Sequence, residues 1–210
     1  MSLGRWVDAE EILCSDDDMK FLLGAQRTHY LESLCVSHKT LHTITDKQRT
    51  LPNLTSLTVC LLTKVRSISE LGVFDFVQLR SLQILEPHEG CRVCLDTTHN
   101  RGGRFGFDLE KDCKQLSKLT NLEHLNLRIH RGDDGASMEL LQSILSVTVA
   151  RSVSRCLKTF HCTVTPFGCQ RFDFEVLSLF ISALPRSLTD LRLPINVDQM
   201  VRTVHVHSRA

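Results

Sequence analysis

The chain has 210 residues, 42% of them hydrophobic, enough to bury one sizeable core and to set the expectation of a single domain. With 25 basic against 24 acidic residues and a formal net charge of +1, it lacks the strong basic field on which a general nucleic-acid binder depends. No run reaches the ~18 apolar residues of a membrane span, and the opening segment carries Asp8, Glu10 and Glu11 where a leader peptide is free of acids; a cytoplasmic protein is expected.

Residues 1–30 differ in character from the rest of the chain. Ser15 or Asp16 is placed to cap a helix running through "DMKFLLGAQRTHYLESL". Asp16, Asp17 and Asp18 then sit at its positive end, where negative charge is favoured. The segment reads as an N-terminal helical cap that shields the first structural unit from water. The rival reading, a docking segment such as a degenerate F-box, lacks the F-box spacing.

From Leu31 onward one spacing recurs. An apolar residue is followed by a second three positions on and a third two positions later. The triplets are Leu31, Leu34, Val36; Leu54, Leu57, Val59; Leu79, Leu82, Ile84; Leu122, Leu125, Leu127; Leu157, Phe160, Cys162; and Leu188, Leu191, Leu193. Successive triplets start 23, 25, 43, 35 and 31 residues apart. The last two apolar positions of each triplet alternate as in a strand, and the first lies just before it. A lone amphipathic helix does not return six times with a three-then-two spacing.

Between the triplets, "SISELGVFDFVQL" predicts one or two helical turns. The step of 43 residues is read as holding a hidden or degenerate repeat around "CRVCLD", residues 91–96, in preference to a long insertion. Residues 136–153 predict one helix carrying Met138, Leu141, Ile144 and Leu145. Residues 174–185 predict another, with Val176, Leu177, Phe180, Ile181 and Leu184, ended by Pro185. Residues 198–210 alternate at Val201, Val204 and Val206 and predict an edge strand or a tail. No apolar cap comes after it, so a partner covers that end or the array continues.

Six triplets in phase resemble the leucine-rich repeat family over roughly residues 31–195. The resemblance implies an α/β solenoid: a repeat domain at 31–197 of about six or seven irregular repeats, with a short parallel sheet on the concave side and helices or irregular segments on the convex side. The passage "ALPRSLTDLRLP" gives the second half a ribonuclease-inhibitor-like character. One departure stands out. The asparagine or cysteine expected after the third apolar position is replaced by Leu62, His130 and Thr165, and only Asn196 follows the pattern.

The strand residues that alternate with the buried ones then face outward. They are Ser33 and Cys35; Ser56, Thr58 and Cys60; Ser81 and Gln83; His124, Asn126 and Arg128; Thr159 and His161; Asp190 and Arg192. The first half of this face is small and neutral, the second larger and partly basic. Binding energy is expected to concentrate at His124–Arg128, His161 and Arg192, since arginine is enriched at interface hot spots. The rival reading of these positions is a merely solvated sheet face.

Other chemistry finds little support. Cys91 and Cys94 with His99, flanked by His88 and followed by Cys113, have zinc-ligand chemistry. A single pair lacks its partner pair, however, and in a strand the two thiols point to opposite faces. No metal or other cofactor is expected. The nine cysteines, an odd number, read as free thiols of a reducing compartment. "RGGRFGF", Arg101–Phe107, offers arginines and aromatics to RNA, but one such element is no array and its glycines mark a loop. No nucleophile-elbow, P-loop or metalloprotease motif is present, so no enzyme is expected. The expectation is a non-catalytic protein-interaction module, an adaptor or scaffold subunit of a larger complex, with a protein partner and no membrane. The alternatives are the substrate-recognition subunit of a ubiquitin ligase, or a structural protein of a ribonucleoprotein or ribosome-like assembly.

Overall fold

A computed structural model describes residues 31–38, 41–42, 51–61, 65, 67–72, 76–85, 106–130, 134–165 and 173–194. The expected helical cap at 1–30, the edge strand or tail at 198–210 and the hidden repeat around residues 91–96 lie outside them.

Six strands form one sheet: β1 (Ser33–Ser37), β2 (Ser56–Cys60), β3 (Ser81–Leu85), β4 (His124–His130), β5 (Thr159–Thr165) and β6 (Asp190–Arg192). All neighbours pair in parallel, and the order across the sheet is the order along the chain. The register sets the triplets side by side. Leu34, Leu57, Leu82, Leu125, Phe160 and Leu191 form one row. Val36, Val59, Ile84, Leu127 and Cys162 form the next. In β1–β5 these residues are at most 3% exposed. Alternation sends every second side chain to the opposite face, so a register slip by one residue would expose the whole set.

The approach to each strand repeats as well. The amides of Leu54, Leu79, Leu122, Leu157 and Leu188 donate to the carbonyls of Leu51, Phe76, Leu119, Ser154 and Pro185, at 3.0–3.1 Å. Each is a β-turn that brings the first leucine of the triplet into the core. Side chains then stitch one turn to the preceding one. Asn121 Nδ2 donates to Val77 O (3.1 Å), Ser154 Oγ to Thr120 O (2.6 Å) and Ser187 Oγ to Arg155 O (2.7 Å).

Among the described residues, the elements beside the sheet include a short 3₁₀ turn (Ile68–Leu71) and four helices: α1 (Leu109–Leu116), α2 (Asp134–Ile144), α3 (Val147–Ser152) and α4 (Phe174–Ala183). The 3₁₀ turn touches α1, α1 touches α3 and α3 touches α4, so these contacts also follow chain order. Gly72 ends the 3₁₀ turn at φ 64°, a conformation glycine adopts without the Cβ clash. Asp173 caps α4 by accepting from the amides of Glu175 and Val176. Phe180 of α4 meets Phe160 of β5 edge-to-face, with ring centroids 5.7 Å apart.

One expectation is corrected. The single helix over 136–153 is two helices, α2 and α3, with Leu145 buried at the break. Ser146 Oγ accepts the Val149 amide as an N-cap, and the β-branched run Val147-Thr148-Val149 is a poor interior for a continuous helix. β3 pairs directly with β4, Ser81 opposite His124, so no strand stands between these two in the sheet; the repeat expected around residues 91–96 lies outside the described residues. The step of 43 residues joins these two strands. Its described part contains α1, which sequence reasoning missed because a polar residue, Asp112, occupies the helix's buried stripe.

Asp112 is fully buried and heavily bonded. Its Oδ1 accepts from Ser67 Oγ (2.6 Å) and the Ser69 amide (2.8 Å), and its Oδ2 from the Asp108 amide (2.9 Å). A buried carboxylate is tolerable only when bonded in this way. It clamps α1 onto the 3₁₀ turn that lies beyond β2 in the chain.

Candidate functional site

The sheet face opposite the helices gathers the candidate residues into rows. Ser33, Ser56, Ser81, His124, Thr159 and Asp190 stand across the six strands in one row. Cys35, Thr58, Gln83, Asn126, His161 and Arg192 make the second. Ser37, Cys60, Leu85, Arg128 and Thr163 make the third. Every proposed contact residue of β2–β6 therefore shares one continuous face.

Across β1–β3 that face is neutral. Ser56, Thr58, Ser81 and Gln83 are half-buried and carry no charge. Cys60, expected to face outward, is buried; it is hydrogen-bonded with Cys35 of the neighbouring strand, which holds the Cys35 thiol below its ordinary pKa against the opposing effect of burial. The described cysteines are free: Cys35, Cys60, Cys113, Cys156 and Cys162. Cys162 points into the core, and burial pushes its thiol up to about 12, so it is unreactive at neutral pH.

Across β4–β6 the face is polar and charged. His124 Nδ1 lies 3.0 Å from Thr159 Oγ1, directly across the strand pair. Asp190 Oδ2 is 2.8 Å from His161 Nε2 and 3.2 Å from an Arg192 guanidinium nitrogen. These bonds, His161 first and Arg192 after it, hold the Asp190 carboxyl below the usual carboxylate range. Arg192 thus spends its charge on its own strand, and its expected share of partner binding is reduced. Arg128 differs. It is exposed between Leu85 and Thr163 of its row and, among the described residues, no carboxylate lies within ion-pair distance.

Sequence reasoning missed a row at the entry to the strands: Glu32, Thr55, Arg80, Glu123, Lys158 and Thr189. Each carbonyl except the last accepts two amides from the following strand entry, as Glu123 O does from Lys158 N (2.7 Å) and Thr159 N (3.0 Å). Their side chains continue the row. Glu123 pairs with Lys158 at 2.6 Å and with Arg80 at 3.5 Å. Lys158 and then Arg80 hold the Glu123 carboxyl below its ordinary pKa. The signal was present, since this residue always sits between the first and second apolar positions of the triplet.

Among the described residues no three His, Cys, Asp or Glu side chains come together to hold a metal, and no helix is long and apolar enough to cross a membrane. Cys91, Cys94 and His99, and Arg101–Phe105 of the glycine-rich loop, lie outside the described residues. No protein-family model, curated protein or solved structure matches the chain.

Proposed function

We propose that the chain is a leucine-rich-repeat-type solenoid acting as a non-catalytic protein-interaction module, an adaptor or scaffold subunit that docks a protein partner on the outward face of β4–β6. Six strands in chain order, a recurrent turn before each and aligned rows of core residues support the solenoid reading. A single observation carries the functional reading: Arg128 stands exposed on a preformed sheet face, flanked by His124 and Asn126, without a carboxylate of its own among the described residues. A side chain of this kind gains a charge-assisted contact on docking without first breaking one.

The test is affinity capture on the full chain with mass spectrometry, repeated with Arg128→Glu. A protein retained by wild type and lost by the variant, with unchanged circular dichroism, supports the reading. Equal capture by both, or catalytic turnover by the isolated chain, overturns it. A co-purified ligase core would specialise the module to substrate recognition, and ribonuclease-sensitive association would move it to a ribonucleoprotein.

A further inference from the structure

The two ends of the sheet are covered unequally. β1 is one edge, yet Leu34 and Val36 are 3% and 0% exposed. At the β6 edge the equivalent residues, Leu191 and Leu193, are only half-buried, as are Leu188 before the strand and Ile181 and Leu184 at the end of α4. Leu179, on α4, is 52% exposed. Apolar surface left open at the end of a stack of structural units is costly to solubility unless something covers it.

Among the described residues, β6 pairs with β5 alone. The Asp190 amide donates to Lys158 O, so Asp190 faces β5. Backbone groups alternate along a strand, so the N–H and C=O of Leu191 project away from β5. No described strand lies beyond β6. Asp190 and Arg192, two residues apart, share the outward face with Leu191 between them on the core side.

We propose that a second copy of this chain covers this end, through antiparallel pairing of β6 with β6 about a twofold axis at Leu191. In that register Leu191 of each copy exchanges both backbone hydrogen bonds with Leu191 of the other. Asp190 of each copy then stands opposite Arg192 of the other, so each Arg192 exchanges its contact with its own Asp190 for one across the pair, and the sequence Asp-Leu-Arg is complementary to itself when reversed. The core-side leucines of the two copies meet on the opposite face and bury the open apolar end. An isologous contact needs such self-complementarity. Charge complementarity thus selects a second copy over an unrelated strand. Pro194 limits the pairing to a few residues, so the association is concentration-dependent and modest.

Sedimentation velocity on the full chain, across a hundredfold range of concentration, tests this without any partner protein. Wild type is expected to pass from monomer to dimer. Arg192→Asp places only acids on the shared face and is expected to weaken self-association by roughly tenfold or more. The exchange Asp190→Arg with Arg192→Asp restores the complementarity and is expected to restore the dimer. Circular dichroism and the thermal midpoint serve as controls for folding. A monomer at every concentration overturns the proposal and places another part of this chain on the edge. A dimer indifferent to Arg192→Asp, or a well-folded double variant that stays monomeric, overturns it equally.

Discussion

β1–β3 and β4–β6 share one inner plan and differ on the outside. Both halves place an apolar pair on the core side of each strand and a turn-borne leucine before it, buried in every strand from β2 to β5. On the other face the first half carries serine, threonine and glutamine, and the second carries His124, Asn126, Arg128, His161, Asp190 and Arg192. The core rows specify register, so they recur. The outward rows do not set the register through core packing, so they are freer to diverge, and a charged cluster appears there in one half only. A fold requirement would have produced the same outward residues in both.

The comparison is broken most easily from the inside. Leu57→Ala in β2 and Leu125→Ala in β4 remove equivalent, fully covered side chains, and each is expected to cost about 3 kcal/mol through lost burial and a residual cavity. Urea unfolding measures both; a much smaller cost in one half would show that the halves do not share a core plan. Next comes the clamp between them. Asp112→Ala leaves Ser67, the Ser69 amide and the Asp108 amide without their acceptor and is expected to cost about 2 kcal/mol, with Asp112→Asn recovering part of it.

A smaller effect belongs to the charged half alone. Glu123 and Asp190 have folded-state pKa values below their ordinary ones. Their contribution to stability is therefore present above the ordinary carboxylate pKa and is lost as the pH falls through the lowered folded values. Urea midpoints measured from neutral to acid pH are expected to decline less steeply in Glu123→Gln and Asp190→Asn than in wild type. Because Arg80 and Lys158 are largely exposed, high salt is expected to shrink the Glu123 effect.

Much of the strand plan was legible because a three-then-two spacing repeated six times has few other physical causes. The first triplet position falls in a turn and the other two on one face of a strand, and both follow from the spacing. The helices were less legible. α4 announced itself through Leu177 and Phe180 and a following proline, but the break at Ser146 depended on a serine acting as a cap in place of a helix-interior residue. α1 was hidden because Asp112 breaks its apolar stripe, and only the partners in a distant turn explain an acid there. The outward face was legible as a set of positions. Its electrostatics were not, because spacing alone does not show that Arg192 is spent on Asp190 while Arg128 stands free of any described carboxylate.

The most direct test of the functional account sets one outward residue of each half against the other. Thr58→Glu and Arg128→Glu occupy the two halves of the same face, and neither is expected to shift stability by more than about 0.5 kcal/mol. Titration of a captured partner by surface plasmon resonance is expected to give wild-type affinity with Thr58→Glu and a loss of roughly tenfold or more with Arg128→Glu. Equal losses in both, or none in either, would contradict a docking surface confined to β4–β6.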